Sequence, residues 1–313
     1  MPLPLEPTKK PIFVPMTSFS KFSLYIVLFF SLSANAQQSE KFNAQALLDN
    51  LKTLSSDEFE GRGISTESSV RAQEFVIQKL EEQGVVPFFQ TWLQDFAVVQ
   101  GLKPVRLEGK NIVGVIPGTK YLDEYIAVTS HYDHLGIRQD SIYNGADDNA
   151  SGTCALVSVA EYFAQNPPDH SIILAAFDGE ETGLIGSKAF VDELVKQEVM
   201  IVANVNMDMI GRNINNEIFL CGKSHHAALF ELFENEIKSP LSISYGHDGQ
   251  DKKDDWTKAS DHGSFHRADI PFVYIGEEDH PDYHMPSDDF AGIDQEFYVS
   301  VVELVIDIIG HID

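Results

Sequence analysis

Four apolar runs, each opening into a polar cluster, constrain this chain more than any other feature. They read YIAVTSHYDHLG, SIILAAFDGEETG, MIVANVNMDMIG and PFVYIGEEDH. Segments with apolar residues at helical spacing follow or separate them, at 151–165, 183–195 and 225–237, and a last one covers 293–311. Short apolar strands alternating with such helices bury both sheet faces only when helices cover a largely parallel sheet on either side. The expected fold class is therefore α/β: a three-layer αβα sandwich with a central mixed, mostly parallel twisted sheet. Upstream, NAQALLDNLKTLSS and STESSVRAQEFVIQKLEEQG also carry the helical period, the second closing at Gly84 as a C-cap. Residues 88–116 are rich in strand formers. No internal repeat or long linker interrupts the pattern, so 37–313 is expected to be one domain.

The first 36 residues stand apart. Lys21 precedes an apolar run from Phe22 to Leu32, followed by Ala34-Asn35-Ala36. That is the order of a secretory signal with an A-x-A cleavage site. Cleavage is expected after Ala36, with Met16 as the natural start and 1–15 as an upstream extension. The run falls short of the roughly 18 apolar residues of a membrane span. A secreted or periplasmic protein without an integral span is the expectation. Net charge is −26, and the leader is slightly basic, so the rest is more acidic still. Such a body repels nucleic-acid phosphates and anionic lipid, and tolerates cations. The two cysteines, Cys154 and Cys221, fit a disulfide or two buried thiols equally well. Oligomeric state is open.

In open α/β sheets the ligand crevice lies beyond the carboxyl ends of the strands. The polar clusters should therefore converge there: His131, Asp133, Asp147, Asp148, Glu180, Glu181, Asp208 and His284. Taken singly, each has an ordinary explanation, such as an acidic pair at a helix start. Together they would repel one another unless cations were shared between them, because buried charge is costly when unpaired. Two divalent ions resolve this. In NGADDNASGT, one aspartate could bridge two metals while its neighbour bonds the loop. Glu180 and Glu181 are adjacent at a strand end, so their side chains diverge. One can reach a metal while the other takes a proton from the attacking water.

Six stretches, SHYDHLG, NGADDNASG, FDGEETGLIGS, NMDMIGR, SDHGSF and DYHMPSDDF, resemble the double-zinc aminopeptidase family (metallopeptidase family 28) in order across 130–290. Upstream LSSDEFEGRG resembles the lead-in of that family. The resemblance implies two Zn²⁺ per chain, with His131 and Asp208 on one and Glu181 and His284 on the other. Asp147 would bridge both, with a cis peptide to Asp148. Asp133 would orient His131, Glu180 would be the general base, and Tyr283 would steady the oxyanion. Mn or Co could replace zinc in such a ligand set. No protease-associated insert of larger relatives is apparent.

The implied activity is a metallo-exopeptidase acting on peptides, an aminopeptidase first. A carboxypeptidase needs a cation for the terminal carboxylate, and near the motifs only Arg138, Arg212 and Arg267 occur, unclustered. A glutaminyl cyclase shares the fold with a single zinc, but carries tryptophans near the Glu-Glu and last-His motifs. Here Trp92 and Trp256 lie elsewhere in sequence. A non-catalytic binding protein should have lost ligands or the base. Ser260-Asp261-His262 cannot converge as a triad, and the resemblance puts Asp261 and His262 near the pocket wall. The sequon Asn149-Ala150-Ser151 falls inside the metal loop and is discounted. His225, His226 and His280 are expected at the surface. The polar stretch 246–259 is either a solvated loop or part of the substrate entrance.

Overall fold

A computed structural model describes residues 39–100, 104–250 and 254–313, together with 1, 2 and 10. The expected signal, from Lys21 through Ala36, lies outside the described residues. Ala36–Asp313 forms one compact unit.

The helices are α1 (Ala44–Leu54), α2 (Glu67–Glu82), α3 (Gly152–Gln165), α4 (Ile185–Lys196), α5 (Ala227–Phe230), α6 (His262–Arg267) and α7 (Gln295–Ile312). The strands are β1 (Val86–Pro87), β2 (Leu93–Gln100), β3 (Val105–Ile116), β4 (Tyr121–His131), β5 (Gly136–Arg138), β6 (Ser141–Tyr143), β7 (His170–Phe177), β8 (Met200–Asp208), β9 (Glu217–Cys221), β10 (Ser242–Tyr245) and β11 (Phe272–Gly276). Asn43, Thr66 and Asp294 start α1, α2 and α7 by accepting a backbone N–H from the first turn. Beyond α2, Gly84 takes φ +81°, a backbone conformation that favours glycine.

One sheet runs β1-β3-β7-β4-β8-β11-β9-β10, with β2 also paired to β3, while β5 and β6 form a separate hairpin. The four consecutive strands β7, β4, β8 and β11 are mutually parallel. Antiparallel pairing flanks them, β3 with β7 and β9 with β11. This is the αβα sandwich with a mixed sheet. Side chains alternate between its faces. Ile172, Leu174 and Ala176 of β7 join a core with α1, α2, α3 and α7, whereas Ile173, Ala175 and Phe177 join one with α4 and α6. α7 buries apolar residues nearly all round, including Val301, Val302, Val305 and Ile309, as expected of a helix enclosed by the fold.

The helical reading of 225–237 holds only for α5. The chain then continues in turns that mix i→i+3 bonds, Phe233 N–H to Phe230 C=O (3.2 Å) and Glu236 N–H to Phe233 C=O (3.0 Å), with i→i+4 bonds, Glu234 N–H to Phe230 C=O (2.9 Å) and Ile237 N–H to Phe233 C=O (3.1 Å). Phe230 and Phe233 are both fully buried there. Strands β9 and β10 carry no comparably long apolar run. Cys154 and Cys221 are both buried and are not joined to each other in a disulfide. Among the described residues, no helix is long and apolar enough to cross a membrane.

Candidate metal centre

Because β7, β4, β8 and β11 point the same way, their carboxyl ends share one edge. His131 sits in register with Phe177, and Asp208 with Gly276. Glu180 and Glu181 follow β7 through Gly179, at φ +74°. His284 comes from the segment after β11.

His131 Nε2 lies 3.3 Å from Asp208 Oδ1 and 3.4 Å from Asp148 Oδ1. His284 Nε2 lies 3.2 Å from Asp148 Oδ2 and 3.3 Å from Glu181 Oε2. The structure thus gathers His131, Asp208, Glu181 and His284, with the two oxygens of Asp148 between the two imidazoles.

The carboxylate that stands between the two imidazoles is that of Asp148, not of Asp147, and the cis peptide is Asp148–Asn149, not Asp147–Asp148. The cause is the hydrogen bonding of the loop. The N–H groups of Asp147 and Asp148 both donate to the Asp288 carboxylate at 3.1 Å. Asp147 Oδ1 accepts the Gly211 N–H at 2.7 Å, and Oδ2 faces His280 Nε2 at 3.2 Å. Held on that side, Asp147 cannot also reach His131 and His284. His280, expected at the surface, is therefore largely covered, its side chain 9% exposed.

Arg62 clamps the same loop from below. It is fully buried and donates to the carbonyls of Leu54, Tyr132, Asn144 and Gly145 at 2.6–3.1 Å. Asn149 is buried as well, its amide bonded to Met207 C=O and Gly152 N–H. That leaves no room for glycosylation at the sequon. Asp133 meets His131 Nδ1 mainly through its carbonyl (3.1 Å), its carboxylate standing at 3.7 Å and accepting the Glu180 N–H at 3.1 Å. Arg62, Asp288 and His134 were not singled out from the sequence. Each stands in a quoted motif, but nothing local distinguishes a loop clamp from a surface residue.

For the chain alone, burial opposes charge on His131, yet Asp208 and Glu180 lift it well above the ordinary imidazole range. Burial raises the Asp148 carboxyl, and raises Glu180 well above its usual range, with His131 pulling the other way and Asp208, Asp261 and Glu181 reinforcing the rise. Glu181 lies below the ordinary range, because His134 and His284 outweigh its burial. His284 is pushed up to about 10 by Asp148 and Glu181. Among the described residues, no Lys or Arg makes an ion pair with Asp148, Glu181 or Asp208. Carboxylates and imidazoles crowded at 3.2–3.4 Å without such a partner suit divalent cations, and a mixed N/O set suits zinc.

A cavity of about 350 Å³ opens onto this centre. Glu180, Glu181, Tyr283 and His284 line it, with Leu184, Met209, Trp256, Ala259 and Tyr274 as a less polar wall and Asp279 and Glu277 as an acidic one. Tyr283 stacks on His284, ring centroids 3.9 Å apart, and burial pushes its phenol upward. Trp256, distant in sequence from the Glu-Glu and last-His motifs but inside the 246–259 stretch, is therefore a pocket residue. It stacks on His247 at 3.5 Å, and its carbonyl accepts from His262 Nε2 at 2.7 Å. Asp261 and His262 are buried and do not line the cavity.

Mixed αβα architecture with clustered His and carboxylate groups at the strand ends defines a zinc-exopeptidase type of protein. The chain belongs to Peptidase family M28, whose profile matches residues 111–309. Aminopeptidase YwaD of Bacillus subtilis (strain 168) is 31% identical over 209 residues, covering 63% of this chain and 43% of that protein. The chain thus spans less than half of that relative's length. The fold resembles the crystal structure of BSAP, a zinc aminopeptidase from Bacillus subtilis, with TM-score 0.70 and 18% identity over 87% of this chain and 96% of that one. It also resembles the Porphyromonas gingivalis glutaminyl cyclase, with TM-score 0.68 and 16% identity over 87% of this chain and 99% of that one.

Proposed function

We propose that this protein is a two-zinc aminopeptidase. One observation carries the reading: the oxygens of Asp148 face His131 Nε2 at 3.4 Å and His284 Nε2 at 3.2 Å, each side completed by a further carboxylate. His131, Asp208 and Asp148 would hold one ion, and Glu181, His284 and Asp148 the other. Bound there, zinc would supply Lewis acidity and make water acidic near neutral pH. Glu180, as the carboxylate, accepts a proton from the attacking water and returns it to the leaving amine. Tyr283 can donate its O–H to the developing oxyanion. Asp279 favours an α-ammonium group, and among the described residues no Lys or Arg lines the cavity to receive a terminal carboxylate.

A panel of aminoacyl p-nitroanilides, free and N-acetylated, tests this. Cleavage of the free set alone, abolished by a chelator and restored by zinc, is expected. Equal cleavage of the blocked set would overturn the aminopeptidase assignment. One observation favours a second reading, glutaminyl cyclase: Trp256 lines the pocket. Ammonia release from an N-terminal glutaminyl peptide without chain cleavage would select it. Export is also proposed, from the A-x-A site at 34–36. The intact mass of the secreted protein should then correspond to a chain starting at Gln37, and retention of the leader would refute this.

A further inference from the structure

The second histidine of HYDH has no part in the reaction as drawn above. His134 is buried, its side chain fully covered. Its Nδ1 lies 2.7 Å from Glu181 Oε1 and 3.7 Å from Asp148 Oδ2. His284 meets the other oxygen of the same carboxylate, Oε2, at 3.3 Å. Glu181 is thus gripped between two imidazoles whose ring centroids stand 5.8 Å apart. The ring of His134 is seated by Gly145. A Cβ there would fall 2.5 Å from its Cγ and Cδ2, and the backbone has φ +54°. Gly145 in turn is held by Arg62. A buried imidazole is expensive to place without a task for its polar edge. Neither ring nitrogen of this one completes a hydrogen bond, and the carboxylates that Nδ1 faces are those of Glu181 and, farther off, Asp148.

We infer that His134 is a positioning residue, which holds Oε1 of Glu181 so that Oε2 is presented beside His284 and Asp148 to the cation on that side. The inference rests on Glu181 and His284 holding a metal, but not on there being two. Partners that orient metal-bound ligands are worth about 10–100-fold in metal affinity. His134→Ala should therefore weaken one cation selectively and leave the ion at His131 and Asp208 unaffected. His134→Asn, whose amide can occupy the place of Nδ1, should recover much of the loss.

The test is stepwise Co²⁺ titration of the full-length metal-free protein, read by visible absorption. Thermal melts of the metal-free variants serve as a folding control. For His134→Ala the expected result is one step at wild-type affinity and one weakened 10–100-fold, with His134→Asn lying between. If wild type binds a single ion, the two-metal reading fails, and His134 is then judged on that one step. Unchanged affinities in His134→Ala overturn the inference. So does equal loss at both steps with a lowered metal-free melt, or no recovery in His134→Asn, since either marks a purely structural histidine.

Discussion

Asp147 and Asp148 carry the same charge, sit side by side and are both buried, yet they face different partners. Asp148 stands between His131 and His284. Asp147 is held by Gly211 and His280. Asp148→Ala should therefore lose bound cation, while Asp147→Asn should keep it and lose only stability. Metal content by mass spectrometry after dialysis separates the two, and the reverse pattern would restore Asp147 as the bridge. In the proposed reaction Glu180 carries a proton and does not bind a cation. Glu180→Gln should retain metal and melting temperature while kcat falls by ~10²–10⁴. Near-normal turnover would remove Glu180 from that role. These roles depend on side-chain direction inside one short loop or turn. Sequence neighbours cannot reveal it, since the bonds that set it come from residues as distant as Gly211 and Asp288.

Loops in this protein are fastened by single buried side chains. Arg62 satisfies four carbonyls on three segments, two of them at Asn144 and Gly145, at the entry to the metal loop. In Arg62→Ala each carbonyl left without a donor costs about 1–3 kcal/mol. A fall of several kcal/mol in unfolding free energy is expected by denaturant titration, and a neutral result would deny the clamp. Asp178, just beyond β7, is lifted to about 8 by burial and by Asp133. Its unfolded value is about 3.9. The folded chain therefore holds a proton that the unfolded chain releases, and stability falls as pH rises from about 4 toward 8. Asp178→Asn should flatten that part of the profile. Melts from pH 5 to 9 check this, and parallel curves for wild type and variant would exclude it. At this scale the helical period located α2, α3, α4 and α7 closely. It overextended α5, which ends at Phe230 and passes into turns of mixed i→i+3 and i→i+4 bonding.

Across the whole molecule, strong acidity and a buried cluster of carboxylates lead us to expect that cations at the proposed centre add to stability. Chelation should lower the melting temperature without abolishing the fold, since the apolar cores on both sheet faces do not involve the centre. Zinc at 100 times its Kd should return about 2.7 kcal/mol. Calorimetry with and without chelator measures this, and a melting point indifferent to metal would contradict a buried cation centre. The sequence by itself determined the alternation of strand and helix, and with it the edge where His131, Glu180, Glu181 and Asp208 must meet. Periodicity suffices for that, because parallel strands bring their carboxyl ends together whatever the loops do. Only the tertiary structure decided that Asp148 rather than Asp147 turns inward, that His134 backs Glu181, and that Trp256 reaches the pocket. Those choices follow from hydrogen bonds and packing between segments far apart in the chain, which no local pattern encodes.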